Sequence, residues 1–227
     1  MIYFTKYAFI NVRRGKTMVA VIDYDAGNIK SVLKAFRSLG QEVVLTRDPR
    51  IILKADHVVL PGVGAFGDAM KRLEDYGLVS VIKEVAAAGT PLLGICLGLQ
   101  LFFESSEESP GAKGLGLLKG TNVRFTEAPG YKIPQIGWNS LNLKNDGRLF
   151  AGVEEGAFVY FVHSFYAVPE DEEVVKATCT YTDAATASVE KNNIFACQFH
   201  PEKSGNVGLK ILENFLKTER SMFSRAE

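Results

Sequence analysis

The chain has 227 residues, 47% of them hydrophobic, enough for one sizeable α/β core and short for two domains. Its 26 basic and 26 acidic residues balance to a formal net charge of zero, which removes the electrostatic reason to expect nucleic acid or an anionic membrane surface as partner. Three cysteines, Cys96, Cys179 and Cys197, are too few and odd in number for a disulfide framework, and no apolar run reaches the roughly 18 residues of a membrane span, so a cytoplasmic protein with reduced thiols is expected.

Residues 1–17 read as an extension of unknown role. Lys6 interrupts their one apolar stretch, and Arg13, Arg14 and Lys16 follow it, the reverse of the order in a secretory leader. The folded domain is expected over residues 18–219, with a tail at 220–227. Residues 19–24 are a run of β-formers. Residues 29–39 carry Ile29, Val32, Leu33, Phe36 and Leu39 at helical spacing, closed by Gly40. Strands follow at 42–46 and 57–60, the second stopped by Pro61 and Gly62. A helical pattern runs through 67–88. A strand at 91–95 then leads at once into a helix over 97–103. This alternation predicts an α/β fold with a mostly parallel sheet and helices on both faces. Residues 107–113 read as a surface loop. Strands predominate afterwards, at 122–125, 158–162, 174–181, 187–189 and 194–199, before a final helix over 207–216. The β-rich half is expected to extend the same sheet, partly antiparallel, within one domain.

Gly94-Ile95-Cys96-Leu97-Gly98 stands where the strand at 91–95 meets its helix. This is the logic of a nucleophile elbow, with cysteine in place of serine. The turn strains the backbone at the nucleophile, and flanking glycines leave it room. The helix N-terminus and the Leu97 N–H point at the sulfur, which favours thiolate and offers an oxyanion donor. A lone cysteine is otherwise most often a packing residue, and that is the reading for Cys179 and Cys197, which lie in alternating strands without glycines.

His200-Pro201-Glu202 follows the strand at 194–199. Proline keeps His200 extended, so residues two apart share a side and Glu202 can orient the imidazole. The free nitrogen would take a proton from Cys96. Sites of α/β sheets sit beyond strand C-termini, and Cys96 and His200 could meet there if their strands run parallel. A polar surface turn is the plainer reading of residues 198–205 taken alone. His163 is the rival base but has no nearby carboxylate in sequence. It reads as a residue shaping the site or hydrogen-bonded at a strand end. His57 reads as structural or solvated. The three histidines make no metal-ligand pattern.

Residues 94–100 together with 198–205 resemble the class I, triad-type glutamine amidotransferases. Residues 22–28, 61–66, 134–139 and 160–166 carry a closer resemblance, to the glutaminase subunits of imidazole glycerol phosphate synthase, and the likeness runs from about Met18 to Leu216. The resemblance implies the family's three-layer fold and an enzyme that releases ammonia from glutamine. Cys96 would form a glutamyl thioester, with His200 as base and acid and Glu202 orienting it. The Val63 and Leu97 N–H groups would form the oxyanion hole, and Gly64, Gln100, Ser164 and Phe165 would hold the substrate. No metal and no cofactor is implied. The implied partner is a TIM-barrel cyclase in a heterodimer. It would use the ammonia to make imidazole glycerol phosphate and an aminoimidazole carboxamide ribotide in histidine biosynthesis. Asn28, Trp138, Tyr160 and Lys203 match positions at that interface, although by themselves they read as a helix cap, two core aromatics and a solvated lysine. Asp25 departs from the family, which has glycine there. Three other readings stay open: an amidotransferase of another pathway, a non-catalytic subunit that kept the fold, and an unrelated cysteine hydrolase of similar fold.

Overall fold

The computed structural model describes residues 17–144 and 146–220. The expected extension, apart from Thr17, and the expected tail, apart from Arg220, lie outside the described residues. The first half alternates as β1 (Met18–Ile22), α1 (Ile29–Ser38), β2 (Glu42–Thr46), α2 (Pro49–Ile52), β3 (His57–Gly62), α3 (Phe66–Asp75), α4 (Leu78–Ala87), β4 (Leu92–Cys96) and α5 (Leu97–Leu101). The second half runs β5 (Ser105–Ser106), β6 (Gly120–Arg124), β7 (Gln135–Ser140), β8 (Asn142–Leu143), β9 (Phe158–His163), β10 (Phe165–Pro169), β11 (Val175–Thr180), β12 (Ala184–Lys191), β13 (Ile194–Cys197) and α6 (Gly205–Leu216).

An eight-stranded sheet in the order β2-β1-β3-β4-β13-β12-β11-β8 forms the middle layer. Its first five strands are parallel and the last three pairings are antiparallel. Both faces are covered, as the continuous apolar strands require. Strand side chains alternate between two cores. Ala20, Ile22, Val58, Leu60, Leu92 and Ala196 pack with residues of α3 and α4 such as Met70, Leu73, Leu78 and Ile82. Val19, Val21, Val59, Leu93, Phe195 and Cys197 pack with α1 and α6 through Val32, Phe36, Ile211, Leu212 and Phe215.

The β-rich half only partly extends this sheet. β10, β6 and β5 make a separate three-stranded sheet, and β7 pairs with β9 alone as an antiparallel ribbon. Two boundaries also shift. β3 continues through Pro61 and Gly62, which pair in register with Ile95 and Cys96 of β4. α5 spans five residues and ends at Leu101. Beyond it the Phe102 and Phe103 N–H groups donate to the carbonyls of Leu99 and Gln100, three residues back, the tight bonding of a 3₁₀ turn.

Candidate active site

β4 and β13 are parallel neighbours with Cys197 opposite Ile95, so the chain beyond each ends at the same edge of the sheet. That register brings Cys96 and residues 198–202 together. Cys96 has φ 54° and ψ −109°, strained for any residue with a Cβ. The elbow leaves no space at its glycines: a Cβ on Gly98 would stand 1.9 Å from the Leu60 carbonyl oxygen, and one on Gly94 2.7 Å from the Gly98 oxygen.

His200 Nδ1 lies 2.8 Å from Glu202 Oε1, with both side chains almost wholly buried. The pairing arises differently from the extended-chain expectation. His200 itself is extended, but Pro201–Lys203 form a 3₁₀ turn that swings Glu202 back onto the ring. Ser204 fixes the assembly. Its hydroxyl donates to the His200 carbonyl and accepts from the Tyr160 N–H, and the His200 N–H donates to the Tyr160 carbonyl. His200 Nε2 is buried without a partner at full hydrogen-bond distance. It faces the Cys96 sulfur. Burial pushes the imidazolium down, but hydrogen bonding toward Cys96 and Glu202 outweighs it and lifts the pKa to about 9. His200 is therefore protonated at neutral pH.

His163 is not the base. Its Nδ1 lies 2.9 Å from the Phe165 carbonyl and its Nε2 3.1 Å from the Gln135 amide. Burial holds its pKa down at about 4, so it is neutral and shapes the pocket wall. His57 is structural: its Nε2 bonds the Thr218 carbonyl and its ring packs edge-on against Phe215. Cys179 and Cys197 are fully buried packing residues, and burial pushes the Cys179 thiol up to about 12.

Cys96 opens into a cavity of about 280 Å³ lined by Val63, Gly64, Leu97, Gln100, Glu108, Ser164 and Phe165 among others. Every residue expected to bind substrate or oxyanion borders it. The β3–β4 register sets the 62–64 loop beside the nucleophile, and Gly64 has φ 105°, a conformation open to glycine. A larger depression of about 750 Å³, between residues 53–57 and 216–220, holds none of these groups.

Sequence reasoning missed two residues here. Glu108, placed in a surface loop, borders the cavity and accepts the Phe66 N–H at the start of α3. Only tertiary folding brings it there. Gln198, in the 198–205 stretch but with no role expected of it, is fully buried with its amide nitrogen 3.7 Å from the Cys96 sulfur.

The expected interface residues sit apart from the cavity floor. Trp138 is 55% exposed, not a core aromatic, and Tyr160 is half-buried beside it with ring centroids 6.2 Å apart. Lys203 Nζ stands 5.6 Å from the Tyr160 ring centroid. Asn28 precedes α1 but its side chain makes no capping bond to the helix backbone; its Oδ1 accepts from Ser31 Oγ at 3.4 Å. Asp25 fits its loop, at φ 61°. Its carboxylate takes Arg47 at 2.7 Å and the Tyr76 hydroxyl, and its carbonyl takes Arg72 at 2.8 Å. The Tyr76 and Arg47 hydrogen bonds hold this carboxyl below the usual range.

The family model for glutamine amidotransferase class-I matches residues 20–218. The "Imidazole glycerol phosphate synthase subunit HisH" of Aquifex aeolicus is 54% identical over 196 residues, covering 86% of this chain and 94% of that protein. The proteins of the same name from Geobacter sulfurreducens and Methanothermobacter thermautotrophicus are 49% and 48% identical, and cover 88% and 90% of this chain and 98% and 100% of their own. Among solved structures, a glutamine amidotransferase superposes with TM-score 0.68 at 21% identity, covering 87% of this chain and 98% of that one. Another, from Thermotoga maritima, gives 0.60 at 18% identity over 89% and 83%. At those identities the two structures speak for the fold.

Proposed function

The chain belongs to the class-I glutamine amidotransferases, and from that membership we propose that it is the glutaminase subunit of imidazole glycerol phosphate synthase, with residues 18–219 as the working domain. One observation carries the chemistry: Cys96 ends β4, His200 follows just beyond its parallel neighbour β13, and Glu202 is fixed on the far nitrogen of the imidazole. Cys96 attacks the side-chain amide carbon of glutamine. The oxyanion is held by the Leu97 N–H and by the Val63 N–H once the peptide beside Gly64 is turned toward it. His200 gives its proton to the departing ammonia, leaving a glutamyl thioester. It then takes a proton from water, which releases glutamate and the free thiol. Gln100, Ser164, Phe165 and the Gly64 backbone hold the amino-acid end. The Glu108 carboxylate at the cavity wall suits an α-ammonium group.

The relatives are named as subunits, so the chain works with a partner, which we take to be a TIM-barrel cyclase in a cytoplasmic heterodimer. In the β7–β9 ribbon Trp138 pairs with Tyr160 and Ser140 with Phe158. Its outer face carries exposed Ile136, Trp138 and Phe158 beside Tyr160 and Lys203, an apolar surface of the kind that marks docking. Asn28 completes the expected contact set.

The test is glutamate release by the purified protein, alone and with a cyclase subunit carrying its nucleotide ligand. Release that depends on the loaded cyclase is expected. Release indifferent to it would keep the chemistry and point to another synthase. Cys96→Ala should abolish glutamine-dependent synthesis by the complex and leave ammonia-dependent synthesis intact. Persistence of the first activity would overturn the nucleophile assignment.

A further inference from the structure

Gln198 lies one residue past β13, on the side of the sheet that Ala196 faces, and its N–H continues the ladder by donating to the Ala187 carbonyl. Its side chain is fully buried. A buried amide must be satisfied at both ends, and its partners fix which end is which. The Phe165 carbonyl oxygen can only accept, so the Gln100 amide must turn its nitrogen toward it, at 2.8 Å. That same nitrogen donates its second hydrogen to Gln198 Oε1 at 3.1 Å. The Gln198 nitrogen is thereby turned toward the Cys96 sulfur, at 3.7 Å.

We infer that Gln198 is a positioning residue for the nucleophile, a neutral donor that stabilises the Cys96 thiolate and ties it to the substrate-binding edge through Gln100 and Phe165. The inference rests on the reading of Cys96 as nucleophile. An amide N–H suits this place because it can favour negative charge on sulfur but cannot accept the thiol proton, which is left to His200. The need is physical: α5 has only five residues, so its dipole at Cys96 is short. The Val162 carbonyl also stands 3.9 Å from the sulfur, an acceptor that favours the protonated thiol.

Two substitutions separate this role from simple anchoring of Gln100. Gln198→Glu keeps an acceptor for Gln100 and replaces the donor at the sulfur with a carboxylate oxygen. Gln198→Met keeps the shape and removes both. The readout is the pH profile of iodoacetamide alkylation with peptide mapping, which needs no bound glutamine. The other ionisable groups around the sulfur, namely His200, Glu202, Tyr24, His163 and Glu108, are the same in all three proteins. Both variants should be alkylated at Cys96 roughly tenfold or more slowly at neutral pH, the scale of a lost hydrogen bond to a charged group, with the profile moved to higher pH. Glutamine turnover should fall in kcat more than it rises in KM. If Gln198→Glu matches the parent profile within about twofold, the donor role is wrong and Gln198 is an anchor only. Should that variant fail to fold, an unchanged profile in Gln198→Met overturns the inference equally. Failure of the parent to be alkylated at Cys96 would instead remove the nucleophile reading, and this inference with it.

Discussion

Burial alone would keep the His200 imidazole neutral; its partners Cys96 and Glu202 reverse the sign. The folded-state pKa of about 9 lies above the reference value of 6.5. The protonated ring therefore contributes stability that is fully present below about pH 6.5 and is lost as pH rises through about 9. Urea denaturation of the parent and of His200→Gln at pH 6 and pH 10 tests this. The parent's advantage should shrink by on the order of 1–3 kcal/mol at the higher pH, and a gap independent of pH would refute the assignment of the proton. The proximity of Cys96, His200 and Glu202 was legible in the sequence because each sits in a short motif beyond a strand, although a 3₁₀ turn and not an extended chain brings Glu202 to the ring. His163 was left as a rival base because its Phe165 and Gln135 partners become visible only after β9, β10 and β7 are placed. Asp25, where the resemblance leads one to expect glycine, has a local physical account in Arg47, Arg72 and Tyr76, none adjacent to it in sequence.

At the scale of elements, strands with one apolar pattern were readable and strands serving two surfaces were not. β7 escaped notice because its alternation is inverted. Gln135 points inward to His163, while Ile136 and Trp138 point out. Its polar residues do not mark the solvent side, which is the assumption behind reading a half-buried strand. A strand was expected at 158–162 and none at β10; only Ser164 separates β9 from β10, yet they pair with different partners, β7 and β6. The buried aromatic run past Leu101 looked helical for the same reason that it packs: Phe102 and Phe103 are fully buried whatever the turn geometry. The elbow itself tolerates no repacking. Gly98→Ala drives a methyl group into the Leu60 backbone carbonyl, so it should cost more than about 3 kcal/mol of stability or prevent folding. A thermal melt within a few degrees of the parent would show that β3 and α5 can separate, against the close approach seen here.

Across the whole molecule, one strand of the apolar ribbon touches the triad: the Tyr160 carbonyl of β9 accepts the His200 N–H. β9 gives Val159 and Phe161 to the core beneath the site and turns Phe158 and Tyr160 outward. Trp138→Ala should weaken cyclase binding at least tenfold, the loss typical of a central aromatic anchor, while the half-exposed side chain leaves the melting temperature little changed. Calorimetric titration with the cyclase measures the first, and unaltered affinity would move the docking face elsewhere. In the sequence Trp138 and Tyr160 stood at an interface through the resemblance alone, and by themselves read as core aromatics. Ile136 and Phe158 join them through strand pairing that no local pattern announces. The adjacency of β4 and β13 has a consequence for the life of the chain. Cys96 and Gln198 are 102 residues apart, with His200 and Glu202 later still. During synthesis the Cys96 thiol emerges while Gln198, His200 and Glu202 are still untranslated. On the proposed reading the sulfur meets its base only when β13 slots in beside β4, so its reactivity depends on completion of this inner sheet.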